Sequence, residues 1–473
     1  MVSVSGACGS GPSTADKRPK PVVLDTEYDD RRAGQDASQQ VAAEMGVLKN
    51  PKLTKYIQQV GVKLVRFAPL RSFDYTFQIV DQPMPNAFAL PGGHIYVSRG
   101  MLALANNEHE LANVLGHEIT HSAARHAAAQ QELARRSSPL AMPYLRMAQM
   151  ASYSRDHERD ADQGGQFLAS SAGYDAMGMS TFLRKLGNSE RMEVGYSRLQ
   201  SYADTHPGST ERSAATANRA QSMQPGSKHQ TDQREAAYLK HIDGLILGTN
   251  PAEGIFKGSL FLHPDMNFHI RFPQGWQLVN SPQSVGAMTP RGEAIISLTA
   301  ESSGDDAEKG AKDFLAEFGE KFQIQVEREK AIRIGEIDAY QIDAFGHMQG
   351  KQAAAVLTFV PYGGTIFRIT SAASPSKAAQ YLGRGRASAR SFGPLTDEEK
   401  NSIEVLRLRI VDAQEGENLT QLGKRTQNAY AEQQTAVLNG VFTDYRFREG
   451  EKVKIARSEP YTGQDDTYRG QNN

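Results

Sequence analysis

The sequence predicts an α+β chain: a mainly helical front half with a small sheet, a strand-rich α/β unit behind it, and a short mixed module at the end. Three observations predict it. Apolar residues recur at helical spacing through much of residues 36–225. From Gly258 onward the pattern changes to strict alternation. After Pro394 a strand, a helical spacer and a second strand fit into about sixty residues.

In order, residues 1–35 are polar and rich in Gly and Pro, and are expected to form a disordered leader. Helical periodicity begins near Gln39, and Leu53, Ile57, Val60 and Leu64 mark one helix face. Tyr75–Val80 alternates as a strand. Asn86–Ser98 reads as two short strands around a Pro91-Gly92-Gly93 turn. Asn107, with Glu110 three residues later, predicts a capping box that opens a long helix running through the alanine-rich stretch to about Arg136. A second helix is expected over Ser154–Ser171, and others to about Ala220.

Residues 226–257 are expected to be a linker, because Gln221–Gln233 has linker composition. Strands are expected at Phe268–Phe272, Ala294–Thr299, Tyr340–Ala344, Ala354–Val360 and Thr365–Thr370, with helices over Lys309–Phe322 and Ser376–Ala389. The α/β unit then spans 258–395, the last module 400–457, and residues 458–473 form a polar tail.

Composition narrows the functions. Hydrophobic residues make up 39% of 473, enough for two to four domain cores. Lys plus Arg number 53 against 54 Asp plus Glu, a net charge of −1, and no basic cluster suggests a nucleic-acid groove. No apolar run approaches the ~20 residues of a membrane helix. Cys8 is the sole cysteine, so an internal disulfide is excluded. Its setting, Val4-Ser-Gly-Ala-Cys8-Gly-Ser-Gly-Pro-Ser13, looks like the end of a bacterial lipoprotein signal, although no basic and apolar stretch precedes it. A lipid anchor at Cys8 is one expectation drawn from it; a chance cysteine in a disordered leader is the alternative.

The chemistry is declared at residues 117–121, His-Glu-Ile-Thr-His. Four residues apart on a helix, His117 and His121 share a face and can hold one metal ion. Glu118 stands beside that face, placed to take a proton from an attacking water. From Val114 to Ala123 the glutamate is the sole acidic or basic residue beside the histidines, as a buried zinc helix requires. Two chance histidines on a structural helix are the bland alternative, and the uncharged flanks count against it.

A catalytic zinc site needs a third protein ligand and one open position. A histidine ten residues after the first is one solution, but that position is Ala127, and the intervening glycine position is Ala124. His126 falls off the ligand face and reads as structural or surface. Glu158 is the better candidate, with Asp162 four residues on, able to hydrogen-bond the far nitrogen of a liganding histidine.

Taken together, Asn86-Ala-Phe-Ala-Leu-Pro-Gly-Gly-His-Ile-Tyr-Val-Ser-Arg-Gly, His117-Glu-Ile-Thr-His121, Ser154-Arg-x-x-Glu158-x-x-Ala-Asp162 and Thr205-His-Pro-Gly-Ser-Thr-Glu-Arg212 resemble the gluzincin metallopeptidases of the HtpX and BepA group, peptidase family M48. The resemblance covers about residues 36–225. It implies a zincin-type peptidase domain and an endopeptidase with one zinc per chain held by His117, His121 and Glu158. Glu118 would be the general base, later passing the proton to the leaving amine. His206 would stabilise the oxyanion together with Arg212, or fill the open coordination position and hold the enzyme latent; a helix-entry turn in which Pro207 starts a helix and His206 is merely nearby is the bland alternative. A strand containing His94, Ile95, Tyr96 and Val97, entered from Asn86, would pair with an extended substrate at a sheet edge; an ordinary interior hairpin is the alternative.

Residues 258–395, with Phe272-Pro-Gln-Gly-Trp276, resemble the PsbP and Mog-like α/β fold, with Trp276 as a core anchor and His263 and His269 isolated. Residues 400–457 resemble a LysM module, although Glu417-Asn418 replaces its usual Asp-Thr; the resemblance implies peptidoglycan as a partner. The expected function is a zinc endopeptidase of the bacterial envelope or periplasm that cleaves misfolded or unassembled proteins. The competing reading is a latent, His206-plugged chaperone-like or cell-wall-binding scaffold protein with little peptidase activity.

Overall fold

The computed structural model describes residues 26–129, 155–192, 202, 206, 208–223, 228–348 and 351–463. Cys8, the expected helical extension from 130 to Arg136, and the tail from 464 lie outside the described residues.

The front half is built from α1 (Glu27–Met45), α2 (Pro51–Val65), β1 (Thr76–Val80), β2 (Ala87–Leu90), β3 (His94–Ser98), α3 (Arg99–Leu104), α4 (Glu108–Ala123), α5 (Arg155–Ser171), α6 (Met177–Met192), α7 (Ser209–Ala220) and α8 (Lys228–Ile242). The first of these corrects the expected leader, which ends ten residues early. Thr26 caps α1 with Asp29 in a reciprocal box, and the helix packs through Ala33, Gly34, Ala37 and Val41. Gly34 lies so close to the Pro91-Gly92-Gly93 turn that an added Cβ would meet the Pro91 carbonyl oxygen at 1.9 Å. The interface works because its residues are small, and small residues carry little hydropathy signal.

β3 is the middle strand of its sheet, parallel to β1 and antiparallel to β2. Ile95, Tyr96 and Val97 are buried. Both hydrogen-bonding edges of β3 are taken, which corrects the expectation that His94–Val97 receives a substrate strand; β1 and β2 are the two edge strands.

Asn107 caps α4 by accepting from the Glu110 amide at 2.9 Å. Glu110 reaches back to the Asn106 amide, one residue earlier than a standard capping box, and to Lys185. The helix ends at Ala123, with Arg125 in left-handed backbone (φ 54°), so it does not continue unbroken toward Arg136. Arg125 is instead tied bidentately to Asp30 of α1.

The segment expected as a linker is α8, followed by β4 (Ile246–Leu247). Tyr238, Leu239, Ile242, Leu245 and Leu247 join the same core as α2, α4 and α6.

The α/β unit comprises β5 (Ile255–Lys257), β6 (Leu260–His263), β7 (Phe268–Arg271), β8 (Gln277–Ser281), β9 (Ser284–Met288), β10 (Ala294–Ser303), α9 (Ala307–Phe318), β11 (Gln325–Ile334), β12 (Ile337–Met348), β13 (Lys351–Tyr362), β14 (Thr365–Ala373), α10 (Ala378–Arg390) and β15 (Gly393–Pro394). Seven strands form an antiparallel sheet in the order β11-β12-β13-β14-β10-β9-β8, and a second sheet runs β15-β7-β6-β5. Trp276 is buried against Tyr381 in the core between them, as an anchor should be. His269 pairs with Glu399 at 2.8 Å, and among the described residues no metal-ligating cluster occurs in this unit.

The last module runs β16 (Glu404–Asp412), α11 (Leu419–Thr426), α12 (Glu432–Asn439), β17 (Lys452–Pro460). β16 lies between β17 and β4. Leu408 and Ala456 are therefore part of the front half's core, and buried Lys454 donates to the carbonyls of Ala103, Leu104 and Ala105 at 2.6, 3.1 and 2.9 Å. The module is fused to the front half rather than tethered to it.

Candidate metal centre

Two glycines set the site. An added Cβ on Gly165 of α5 would meet the His117 amide nitrogen at 2.6 Å, and one on Gly116 would meet the Gly165 carbonyl oxygen at 2.8 Å. With no side chain on either, α4 and α5 approach closely enough for short carboxylates on one to reach imidazoles on the other. The 158/162 spacing then places both carboxylates on the face of α5 that meets α4.

The outcome is a buried cluster of His117, His121, Glu158 and His206, whose ligand atoms all lie within 4.8 Å of one another. His117 Nε2 is 2.9 Å from His121 Nε2 and 3.3 Å from His206 Nδ1. Glu158 Oε1 is 3.4 Å from His121 Nε2 and 2.9 Å from His206 Nδ1, and Glu158 Oε2 is 3.7 Å from His117 Nε2. Donors ~2.05 Å from a tetrahedral zinc would be ~3.3 Å apart. The observed separations straddle that value, so the residues present fit the ion.

Glu118 tests the fit independently. It is fully buried, and neither carboxylate oxygen has a hydrogen-bond partner among the described residues. Burial raises its pKa, partly opposed by His206 and His117. A carboxylate left without donors and beside a set of ligand atoms is poised to receive a proton.

The ligands are oriented from behind. His117 Nδ1 lies 3.0 Å from Asp162 Oδ1; the ionised carboxylate only accepts, so Nδ1 carries the proton and Nε2 keeps its lone pair. His121 is served differently. Its Nδ1 is 2.9 Å from His126 Nδ1, and His126 Nε2 is 3.2 Å from Asp160 Oδ2. Asp160 fixes the His126 proton on Nε2, so His121 donates to His126 and presents Nε2 inward. Burial, aided by the neighbouring His157, holds His126 down to about 4, in keeping with a neutral acceptor. Burial likewise keeps His121 well below the usual histidine value. His126 thus stands outside the group of four and contacts His121 from behind. Its spacing, five residues after His121, gave no hint of this, because the relay is completed by Asp160 on another helix.

Arg212 departs from its expected role. Its Nε and Nη2 donate to Asp162 at 2.8 and 2.6 Å, its Nη1 approaches Glu158 Oε2 at 2.5 Å, and Nη1 also donates to the His206 carbonyl at 3.2 Å. With these donors committed behind the ligands, it positions Asp162 and Glu158 and has no fork left for an oxyanion. Burial works to raise both carboxyls, but Arg212 and His117 hold Asp162 below its ordinary value, and the surrounding histidines do the same for Glu158.

His206 is brought among the ligands, with Nε2 3.7 Å from Glu118. Burial would lower its pKa, yet Glu158 and Glu118 together raise it. Tyr202, unremarked in the sequence, stacks on it at 4.1 Å, accepts from the His206 amide and is itself anchored to the Pro85 carbonyl. Asn86, entering β2, is buried; Ala89 and Leu90 of β2 face His121 across a cavity of about 10 Å³, too small for a peptide. His94, at the far end of the hairpin, bonds Thr76 instead.

Residues 51–151 and 138–220 match peptidase family M48. The beta-barrel assembly-enhancing protease of Escherichia coli (strain K12) is 31% identical over 210 residues, covering 39% of this chain and 42% of that protein. The mitochondrial metalloendopeptidase OMA1 of Schizosaccharomyces pombe is 30% identical over 208 residues, covering 40% of this chain and 60% of that one. The chain therefore spans about two-fifths of the first relative's length and three-fifths of the second's. These relatives support a metallopeptidase role. The solution structure of cyanobacterial PsbP from Synechocystis sp. PCC 6803 is similar at 14% identity and a TM-score of 0.25, covering 32% of this chain and 99% of that one. Among the described residues no helix is long and apolar enough to cross a membrane.

Proposed function

We propose that this chain is a zinc-dependent endopeptidase held latent in its resting conformation by His206. The observation that carries the reading is the convergence of four buried ligand atoms beside the undonated carboxylate of Glu118. When bound, zinc would supply Lewis acidity to polarise the scissile carbonyl and activate water. His117, His121 and Glu158 would hold it, with Asp162, Arg212 and the His126–Asp160 pair fixing their orientation. Glu118 takes the proton of the attacking water and delivers it to the leaving amine; its raised proton affinity suits both steps. His206 must leave the ligand set for a peptide to enter, and the β2 edge, Ala87–Leu90, would pair with the extended substrate.

Substrates are proposed to be misfolded or unassembled proteins of a bacterial envelope, as the motif resemblance implies; the Escherichia coli relative is named a beta-barrel assembly-enhancing protease. The strand–helix–helix–strand order of residues 404–460 supports a separable proposal of peptidoglycan binding, tested by co-sedimentation of the full chain with purified sacculi.

The peptidase test combines metal analysis with casein hydrolysis. Wild type should contain about one zinc; Glu118→Gln should keep the metal and lose hydrolysis, and His117→Ala should lose both. Retained hydrolysis in Glu118→Gln would refute the mechanism. His206→Ala should raise the rate; a fall would make His206 a participant in catalysis rather than a plug.

A further inference from the structure

The plug and the sheet edge meet at one residue, Tyr202. Along β2 the Asn86 carbonyl accepts from the Ser98 amide at 2.7 Å, and the Asn86 amide donates to the Ser98 hydroxyl at 2.8 Å, so both backbone groups of Asn86 face β3. Backbone groups alternate sides along an antiparallel pair. With Ala87 opposite Val97 and Ala89 opposite Ile95, those of Ala87 and Ala89 therefore face away from β3, toward the free edge. Neither alanine has a backbone hydrogen-bond partner among the described residues. Ala87 is also 0% exposed, so its amide and carbonyl are shut off from water. A buried amide and carbonyl without partners cost free energy until a neighbouring backbone supplies them.

The next outward group along this edge, the Pro85 carbonyl, is taken: the Tyr202 amide donates to it at 3.0 Å. Tyr202 is fully buried, and its ring lies 4.1 Å from that of His206 at 18° and 6.1 Å from that of His117. Its carbonyl accepts from the His206 amide at 2.8 Å. Tyr202 and His206 are thus tied to each other twice, by backbone and by ring, and Tyr202 fastens the pair to the sheet edge. At the other end of β2, Ala89 and Leu90 stand beside His121. A strand laid on this edge would pass the ligand cluster from the His206 side to the His121 side.

We propose that Tyr202 is the positioning residue through which a substrate releases its own plug. An extended peptide that pairs with Ala87 and Ala89 and reaches Pro85 takes that carbonyl from Tyr202, and His206 leaves with it. The inference rests on the proposed roles of β2 as substrate edge and His206 as plug, and adds to them a trigger and a length requirement. Two backbones cannot lie on the same stretch of edge, so the peptide binds the released state in preference and shifts the population toward it. From Pro85 to Ala89 the edge spans about 13 Å at ~3.3 Å per residue, so a tripeptide cannot bridge it and an unfolded segment can.

The test uses the full chain carrying Glu118→Gln and loaded with zinc, so that peptide binds without being cut. Amide hydrogen exchange is followed by mass spectrometry on fragments covering residues 86–90 and 202–206. It is measured alone, with a long casein peptide, and with a tripeptide taken from the middle of that peptide. The long peptide should slow exchange in 86–90 and speed it in 202–206 over the same concentration range, and the tripeptide should leave 202–206 unchanged. Adding Tyr202→Ala should make 202–206 exchange quickly without peptide and tighten long-peptide binding by about twofold to tenfold, the weight of one aromatic stack, while Tyr202→Phe should match the parent. Protection of 86–90 with no change in 202–206, or equal release by the tripeptide, overturns the proposal and leaves the peptidase reading standing. No protection of 86–90 overturns it together with the edge assignment. Failure of the peptidase reading shows separately, as absence of zinc and of casein hydrolysis in the wild type.

Discussion

Replacing Arg212 by Met keeps the length and apolar stem of the side chain and removes its charge. In the metal-free protein this strands two carboxylates, Asp162 and Glu158, each nearly solvent-excluded and each now lacking its guanidinium. Breaking a buried ion pair by deleting one partner costs about 3–5 kcal/mol. At 1.36 kcal/mol per decade that is a rise of about two to four decades in the opening equilibrium of α5. Because the chain has several cores, the readout must be local: amide hydrogen exchange of residues 155–171 followed by mass spectrometry, with chelator present. Adding Asp162→Asn to the Met variant removes one stranded charge and should recover more than 1 kcal/mol. Arg212→Lys should not rescue fully, since one ammonium cannot span both carboxylates as the fork does. A loss below about 1 kcal/mol in Arg212→Met would refute the assignment of Arg212 as the group that neutralises this pair.

Other outcomes follow from the same contacts. Gly165→Ala must push α5 off the His117 backbone, and should lower zinc affinity more than tenfold in a competition assay while leaving the α/β unit's Trp276 fluorescence unchanged. Since the Asp162 pKa lies below its ordinary 3.8, its contribution is fully present above that pH and is lost as pH falls through the folded value. An acid titration of the metal-free protein by circular dichroism should show Asp162→Asn with a shallower loss below about pH 3.8. Lys454→Met should loosen β17 by about 1–3 kcal/mol, read by exchange of residues 452–460, because the Ala103 and Ala105 carbonyls lose their ammonium donor.

The candidate metal centre is legible wherever its residues sit at helical spacing on one element: His117 with His121, and Glu158 with Asp162 behind it. What the sequence hid was contact between elements. The oxyanion role of Arg212 was implied by the motif resemblance, and sequence says nothing about which way a guanidinium turns. The His126–Asp160 relay needs two helices to be seen together. Among the elements, β11 escaped notice because it is a sheet edge exposed along nearly its whole length, and Gln325-Val-Glu-Arg-Glu-Lys330 therefore shows no apolar alternation. α8 was masked by its polar beginning, although Tyr238, Leu239 and Ile242 bury its far end. The strands of β10 and β12–β14 were plain because each has a face packed into a core.

The shared core of the front half and β16–β17 bears on timing. Leu408 and Ala456 are synthesised more than two hundred residues after Leu115 and Ile119, yet all belong to one apolar cluster. A nascent chain cannot close that cluster until residue 456 has left the ribosome. Arrested or clipped products ending before residue 452 would carry the metal-centre residues on helices whose supporting core is still open to solvent.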